Sequence, residues 1–185
     1  MYKPIPAPEG HVVHKGCRLE LRLVDLPVGG DVIQKELVVH RGAVIILPLL
    51  DDDKVVLIRN FRVAVGEELW ELPAGTLAAG EAPEACALRE LKEETGYQAS
   101  SIELLGTFFN APGWSTYRLF AFVARGLTAG QQELERDESI QVHIIPLAEV
   151  CSMIACGEIM DGKTISAFAI HAARHGIPVF GKPQP

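Results

Sequence analysis

The stretch GTLAAGEAPEACALRELKEETGY, residues Gly75–Tyr97, decides which fold and chemistry this sequence can have. Its second half predicts a helix over Glu81–Thr95, with Pro83 in the first turn, where a missing N–H group is tolerated. Gly96 is placed to end that helix. Ahead of the helix, residues 71–77 (ELPAGTL) predict a tight loop in which a glycine lets the backbone approach a ligand closely. The stretch therefore predicts a ligand-accessible loop followed by a capped helix.

Glutamates on the predicted helix are spaced for metal binding. Glu90 and Glu94 are four residues apart and share a face, with Glu93 beside them. Like charges at this spacing cost a few tenths of a kcal/mol, which a divalent cation would relieve. Ligation by oxygen alone suits Mg²⁺ or Mn²⁺ rather than Zn²⁺. Taken alone, a solvated acidic helix face explains the glutamates better, and the Pro/Gly loop before the helix is what favours a metal.

Apolar patterns on both sides of the helix predict a mixed sheet sandwiched between helices. Leu88, Leu91 and Thr95 share the helix side that we expect to pack on this sheet. Residues 1–16 are expected to be an extended lead-in, and Asp51 to Asp53 a solvated turn. The predicted strands are Arg18–Leu23 and Val32–His40 (a first hairpin), Ala43–Leu50 and Lys54–Phe61 (a buried hairpin), Ile102–Phe109, Leu119–Val123 and Gln141–Ile145, and the remaining predicted helices are Leu147–Ala155 and Thr164–His175.

The composition narrows the class of protein. With 185 residues, of which 48% are hydrophobic, the chain has enough apolar material for one sizeable core. A net charge of -7 without a Lys/Arg run argues against a nucleic-acid partner. The four cysteines form no C-x-x-C pair, no apolar run reaches the length of a membrane span, and residues 1–15 contain no signal-peptide core. We therefore expect a soluble, cytoplasmic protein with no membrane partner.

The stretch also resembles a known family. It reproduces the Nudix box, G-x5-E-x7-R-E-U-x-E-E-x-G-U, at nine positions with fixed gaps, Tyr97 being a mild variant of the final apolar position. The resemblance implies a Nudix α/β/α sandwich that hydrolyses a nucleoside diphosphate linked to another moiety, with Mg²⁺ as cofactor and Mn²⁺ as an alternative. The nine positions are Gly75, Glu81, Arg89, Glu90, Leu91, Glu93, Glu94, Gly96 and Tyr97.

The resemblance also implies roles for individual residues. Arg89 would orient the glutamates, and Glu81 would be a structural or outer partner of the site. The general base would come from the acidic segment before the last predicted strand, where both Glu135 and Glu138 are possible and Glu138 is preferred. The implied metal ligands are Glu90 and Glu94, with Glu93 assisting and the carbonyl group of Ala74 contributing.

Further stretches resemble the ADP-ribose pyrophosphatases within that family. Residues 59–62 (RNFR) and 70–75 (WELPAG) match that group, Pro112 lies at its characteristic distance after Tyr97, and residues 157–164 (GEIMDGKT) match the start of its last helix. The implied substrate is ADP-ribose or a related nucleotide sugar, cut to AMP and a sugar phosphate. GDP-mannose is the close alternative, and a non-catalytic regulator that binds nucleotide sugars is the alternative from another class. Tyr117 stands where the group often has an acidic residue, and this difference concerns the specificity for the sugar more than the reaction.

Several candidate substrate contacts keep a second interpretation. Trp70 can stack on a base or pack in the core. Trp114, in a loop, can contact substrate or simply be an exposed aromatic residue. Arg62 is expected to bind pyrophosphate, whereas Arg59 is as consistent with a surface arginine. His171 and His175 are four apart on a predicted helix, which favours a surface helix face over a metal pair. The complete set of candidate substrate-binding residues is Arg59, Arg62, Trp70, Glu71, Pro112 and Trp114.

The N-terminal hairpin predicts an assembly. Dimers of the resembled group commonly share an N-terminal sheet, so residues 1–42 are expected to form a dimerisation sheet in a homodimer. Residues 43–185 would then form the Nudix hydrolase domain.

Overall fold

The N-terminal strands form a separate three-stranded antiparallel sheet in the order β1-β2-β3. The structure is a computed structural model and describes residues 8–50, 53–136 and 138–177. The predicted hairpin is present, and its strands pair along their whole length around Gly29 and Gly30, both of which have positive φ. The expected lead-in contains an additional strand instead. The three strands are β1 (His11–Lys15), β2 (Leu19–Val28) and β3 (Asp31–His40).

A seven-stranded mixed sheet forms the centre of the molecule. Its main path runs β10-β5-β4-β9-β8, while β6 pairs with β5 and β7 pairs with β4. The β4–β9 pair is parallel and the other pairs are antiparallel. The strands are β4 (Ala43–Leu50), β5 (Lys54–Arg62), β6 (Glu67–Glu71), β7 (Ala74–Thr76), β8 (Gln98–Phe109), β9 (Arg118–Thr128) and β10 (Ile140–Pro146).

Strand β4 lies at the middle of the sandwich and is buried on both faces. Ile45 and Leu47 contribute to an apolar cluster with the second and third helices, α2 (Leu147–Ala155) and α3 (Gly162–His175). Val44 and Ile46 contribute to the cluster under the first helix, α1 (Pro83–Thr95). An unbroken apolar run is what a strand covered on both faces requires, so the predicted α/β/α sandwich is confirmed.

Helix α1 buries two of the three residues expected to pack on the sheet, Leu91 and Thr95, but not Leu88. Leu88 is 41% exposed, whereas Cys86 and Ala87 are buried with Leu91. Around the helix, the buried arc is centred near Ala87, and at 100° per residue Leu88 falls just outside it. The arc is shifted because Glu90 and Glu94 also lie within it. The expectation that Leu88 packs on the sheet was therefore wrong.

The region between β5 and α1 is more regular than predicted. Residues 71–77 do not form a plain loop, because Ala74–Thr76 pairs with β4 and Glu71 ends β6. The N–H group of Ile46 also donates to the carbonyl of Pro73 at 2.9 Å. The predicted buried hairpin of β4 and β5 pairs only near its turn, since β4 continues alongside β7 and β9 instead. The loop is thus clamped to the central strand.

Of the predicted aspartate turn, Asp53 has a left-handed backbone with φ 58°, and residues 51 and 52 lie outside the described residues. Among the helices that the structure describes, none is long and apolar enough to cross a membrane.

Candidate functional site

The loop and helix of the Nudix box are in direct contact. A Cβ atom added to Gly75 would lie 1.8 Å from Cδ of Glu90, so the Glu90 carboxylate rests against the bare glycine backbone. The N–H group of Ala74 donates to Oε2 of Glu94 at 2.8 Å. Two adjacent loop residues therefore fix the two carboxylates that the sequence predicts as metal ligands.

Both carboxylates are buried, and burial changes their ionisation. Glu90 is 9% and Glu94 is 3% exposed. Burial raises the pKa of Glu94 well above its usual range, and the charges of Glu90 and Glu138 raise it further against the Ala74 hydrogen bond. Burial likewise raises the pKa of Glu90, although Arg89 opposes this shift. A positive charge between the two carboxylates would stabilise their ionised forms.

Arg89 connects three of the box glutamates. Its Nε lies 2.9 Å from Oε1 of Glu81, and its Nη1 lies 2.7 Å from Oε1 of Glu90 and 2.9 Å from Oε2 of Glu93. Hydrogen bonding to Arg89 is the main reason that the pKa of Glu81 falls to about 2. Arg89 thus connects Glu81, just before α1, to the carboxylates Glu90 and Glu93 on that helix.

The donor chemistry of this region fits a hard divalent cation. Glu90, Glu93, Glu94 and the Ala74 carbonyl offer oxygen atoms alone, the donors that Mg²⁺ and Mn²⁺ prefer. Within the described ranges, no three or more His, Cys, Asp or Glu residues are gathered as a metal-binding group. Arg89 contacts Oε1 of Glu90 and Oε2 of Glu93, which leaves the second oxygen of each carboxylate for a cation.

The two candidate bases differ in environment. The negative charge of Glu138 raises the pKa of both Glu90 and Glu94, which places Glu138 near them. Its Oε2 accepts from the Glu135 N–H group at 2.9 Å. The side chain of Glu135 is exposed and lies 3.5 Å from Arg18. Of the two glutamates, Glu138 is therefore the one whose charge acts on Glu90 and Glu94.

Arg62 is held by a carboxylate beneath it. Its Nε and Nη2 donate to the two oxygens of Glu71 at 2.7 and 2.6 Å, a bidentate pair. The Glu71 side chain is 1% exposed, whereas Arg62 remains partly open to solvent. Both were candidates for substrate binding. The bidentate pair uses two guanidinium N–H donors of Arg62, so the other donors of this partly exposed side chain are left for a ligand.

Trp70 is packed by its neighbours. The guanidinium group of Arg59 lies 4.9 Å from the ring centroid, and the His143 ring meets it edge-on at 4.7 Å. The indole N–H group donates to Glu158 at 3.1 Å, and Arg59 also reaches Glu68 at 3.4 Å. Arg59 therefore covers one face of the indole ring, and a nucleobase could stack on that face only after Arg59 had moved away.

Pro112 and Trp114 lie in an exposed loop beside the N-terminal sheet. The Trp114 carbonyl accepts from the Val38 N–H group at 2.8 Å, and the Trp114 side chain is 57% exposed. After this loop, the Tyr117 ring packs on His40 at 4.2 Å between centroids. Burial raises the pKa of Tyr117, and charges from the Arg62 and Lys163 region also act on it.

A cavity of about 540 Å³ separates the N-terminal sheet from the loop before α1. Its walls include residues 15–20, residues 39–41 and residues 77–81, so Glu81 is the box residue that reaches it. The size is typical of small-molecule pockets. Its lining cations are Lys15, Arg18, Arg41 and Arg118.

The structure also gives contacts that the sequence did not predict. Lys163 lies 2.5 Å from Asp161 and 3.6 Å from Glu71, and the hydroxyl of Thr164 accepts from the Leu72 N–H group. The GEIMDGKT match was the only signal for these residues, and it carried no role. The surface interpretation of His171 was wrong, because its side chain is buried and its Nδ1 has no hydrogen-bond partner among the described residues.

Known proteins resemble this chain in sequence and in fold. The NUDIX domain family model matches residues 39–168. An ADP-ribose pyrophosphatase of Bacillus subtilis is 36% identical over 80% of this chain and 79% of that protein. A GDP-mannose pyrophosphatase of Citrobacter koseri is 40% identical over 74% of this chain and 77% of that protein. A solved structure described as an ADP compounds hydrolase superposes with a TM-score of 0.76, 23% identity and coverage of 96% of this chain and 100% of that chain.

These findings define a hydrolase of phosphoanhydride bonds built as an α/β/α sandwich. The chain belongs to the Nudix family. Enzymes of this family generally use divalent metal ions.

Proposed function

We propose that the protein hydrolyses the pyrophosphate of ADP-ribose or a related nucleotide sugar with Mg²⁺, giving AMP and a sugar phosphate. The observation that carries the proposal is the pair of buried carboxylates, Glu90 and Glu94, fixed by the Ala74–Gly75 loop. Arg62 supports it, because a bidentate anchor leaves other guanidinium donors for a phosphate. The names of the relatives support the class of substrate.

Residues of the chain would share the reaction as follows. Glu90 and Glu94, assisted by Glu93 and the Ala74 carbonyl, would hold the metal ions. Bound Mg²⁺ would supply charge neutralisation at the phosphates and lower the pKa of the attacking water. Arg62 would orient the pyrophosphate from the β5 side.

Glu138 would accept the proton of the attacking water. The water oxygen then forms a bond to one phosphorus, and the bridging P–O bond breaks. The bridging oxygen leaves with the other phosphate and takes up a proton, so both products are phosphate monoesters. Glu135 remains the alternative base, and separate Glu135→Gln and Glu138→Gln variants distinguish the two by which one lowers kcat.

A panel of nucleotide sugars tests the function. The protein is incubated with each sugar and Mg²⁺ or Mn²⁺, and release of AMP or GMP is followed. We expect the highest kcat/KM with ADP-ribose. Binding of ADP-ribose without turnover of any sugar would contradict the enzyme and favour the regulator.

Glu94→Gln tests the metal assignment. We expect kcat to fall by orders of magnitude, because an amide oxygen replaces a buried carboxylate while the fold is kept. Glu84→Gln is the matched control, since Glu84 is an exposed carboxylate in the first turn of the same helix. Unchanged turnover in Glu94→Gln would refute the assignment.

GDP-mannose is the second candidate substrate. The GDP-mannose pyrophosphatase relative is 40% identical, and Tyr117 stands where ADP-ribose pyrophosphatases often have an acidic residue. A kcat/KM for GDP-mannose above that for ADP-ribose would select this alternative.

We further propose that residues 1–42 form a dimerisation sheet and residues 43–185 the hydrolase domain of a cytoplasmic homodimer. Seven apolar side chains of the N-terminal sheet are exposed, which supports an interface. Val32→Glu, at a side chain that is 66% exposed, should shift the mass measured by light scattering from dimer to monomer. A wild-type monomer would contradict the proposal. The exposed apolar residues are Val12, Val13, Leu19, Leu26, Val28, Val32 and Ile33.

The cytoplasmic part of this proposal rests on the thiols. The four cysteines are free, as is usual in a reducing compartment.

A further inference from the structure

Glu71 is shared between two cations from different parts of the chain. Arg62 binds both of its oxygens from β5, and Nζ of Lys163 reaches Oε2 from α3 at 3.6 Å. The Glu71 side chain is almost fully buried, and Lys163 is largely buried. Lys163 also lies 2.5 Å from Asp161, which caps the same helix. Two carboxylates and two cations therefore form one compact, charge-balanced network.

The same helix start holds the peptide next to Glu71. The N–H group of Leu72 donates to Oγ1 of Thr164 at 2.9 Å, across 92 residues of chain. Thr164 is in turn fixed by Asp161, whose Oδ2 accepts from the Thr164 hydroxyl at 2.7 Å and from its N–H group at 3.0 Å. Leu72 is fully buried, so losing this acceptor would leave a costly unpaired N–H group.

Leu72 lies two residues before Ala74, the loop residue that binds Glu94. The intervening Pro73 gives its carbonyl to β4. The start of α3 thus reaches the proposed phosphate-binding arginine through Glu71 and the proposed metal-binding loop through Leu72. Neither Lys163 nor Thr164 needs to touch substrate to influence both.

We propose that Asp161, Lys163 and Thr164 are positioning residues for the hydrolysis, with Lys163 fixing Arg62 through Glu71 and Thr164 fixing the Ala74–Gly75 loop through Leu72. The roles of Arg62 and the loop rest on the proposed function. The two arms differ in what they position, so their loss should affect different kinetic constants.

Lys163 acts on substrate binding. Without its charge, Glu71 and Asp161 repel each other and both draw on Arg62, which turns its outer donors away from a phosphate. Lys163→Met should raise KM roughly tenfold, the factor given by about 1.4 kcal/mol of lost binding, with a smaller change in kcat. Lys163→Arg should restore most of the loss, because it keeps the charge.

Thr164 acts on the metal-binding loop. Thr164→Val keeps the shape but removes the acceptor of the Leu72 N–H group, so the loop should shift. We expect weaker Mn²⁺ binding, measured by calorimetry, and a lower kcat with little change in KM. Thr164→Ser should restore both values. The matched control is Ser166→Ala, which removes a hydroxyl on the same helix whose bond goes to the Gly162 carbonyl.

The kinetic split decides the inference. The role of Lys163 would be overturned if Lys163→Met changed kcat and KM no differently from Ser166→Ala. It would also be overturned if Lys163→Arg did not restore KM. Thr164→Val with unchanged Mn²⁺ binding and kcat would overturn the role of Thr164. If Thr164→Val does not fold, Asp161→Asn takes its place, because it weakens the acceptor that fixes Thr164, and unchanged Mn²⁺ binding and kcat in Asp161→Asn would then overturn the role of Thr164.

Failure of the proposed function has a separate signature. Wild-type protein that turns over no nucleotide sugar would contradict the substrate assignment. Calorimetry with inorganic pyrophosphate and Mn²⁺ would then still test positioning. Weaker pyrophosphate binding in Lys163→Met, with unchanged Mn²⁺ binding, would support it, and unchanged pyrophosphate binding would overturn it.

Discussion

Gly75→Ala should lower kcat strongly while leaving the fold in place. The added Cβ would lie 1.8 Å from Cδ of Glu90, and ordinary contact begins near 3.4 Å. The carboxylate must therefore retreat by about 1.6 Å, the difference between these distances. Metal ligands tolerate errors of about 0.2 Å, and a 1 Å misplacement at a reacting centre can cost about 100-fold in rate. We expect kcat to fall by about 100-fold or more.

The fold should survive because the strain is local. Gly75 lies outside the left-handed region, so alanine fits its backbone, and the group that must move is the end of a flexible side chain. The assay compares kcat, Mn²⁺ affinity and thermal midpoint. Gly106→Ala is the control, since its Cβ would meet Ile170 at an ordinary 3.6 Å.

A double variant makes the reasoning refutable. If Gly75→Ala acts only by displacing Glu90, then Gly75→Ala combined with Glu90→Ala should have the same kcat as Glu90→Ala alone. A further loss in the double variant would show that Gly75 acts through another group. Wild-type kcat and Mn²⁺ affinity in Gly75→Ala would refute the need for Glu90 at this position.

Further predictions concern stability and binding. Burial holds the folded pKa of His171 at about 4, with His175 adding repulsion, so the unfolded chain takes up the proton first as pH falls. The contribution of His171 to folding stability is therefore fully present above about pH 6.5 and is lost toward pH 4, by up to about 3 kcal/mol. His171→Leu should reduce this loss, as measured by urea unfolding at several pH values. Gly96→Ala should cost about 2 kcal/mol or more, because Gly96 has φ 76° and its Cβ would lie 2.7 Å from a backbone oxygen; an unchanged urea midpoint would contradict this. Arg62→Ala should destabilise the fold by about 3 kcal/mol and raise KM, since it strips a buried Glu71 of its bidentate partner; Glu71→Gln combined with Arg62→Ala should recover part of the stability.

Elements whose stability is local were predictable from the sequence. The apolar run of β4 and helix α2 have the bounds that the sequence predicts, because a continuous buried strand and a helix after Pro146 carry their own signals. Strands β6 and β7 have three to five residues and exist through pairing with β5 and β4. Such short strands have no periodicity of their own, so the sequence predicted a loop over residues 71–77 and no strand at Glu67–Glu71.

The site likewise contains residues predictable from local spacing and contacts between residues distant in sequence. Spacing within one helix predicted that Glu90 and Glu94 share a face, because residues four apart along a helix lie on the same side whatever surrounds it. The partners of Glu71 could not be found in this way, since Lys163 lies 92 residues away in sequence. Their pairing depends on how α3 docks on the sheet, which no local pattern encodes.

Charge balance distinguishes the two most deeply buried glutamates of the site region, Glu71 and Glu94. Glu71 has Arg62 and Lys163 beside it, so the chain itself neutralises this carboxylate. Glu94 is buried almost as deeply, yet no cation forms an ion pair with it in the described part of the chain. Its hydrogen bond comes from one backbone N–H group, and Glu90 and Glu138 add negative charge around it. The charge of Arg62, which is already paired with Glu71, lowers the pKa of Glu94, but burial outweighs it. A bound cation would stabilise the ionised carboxylate further, which is why the metal proposal rests on Glu94 before any other residue.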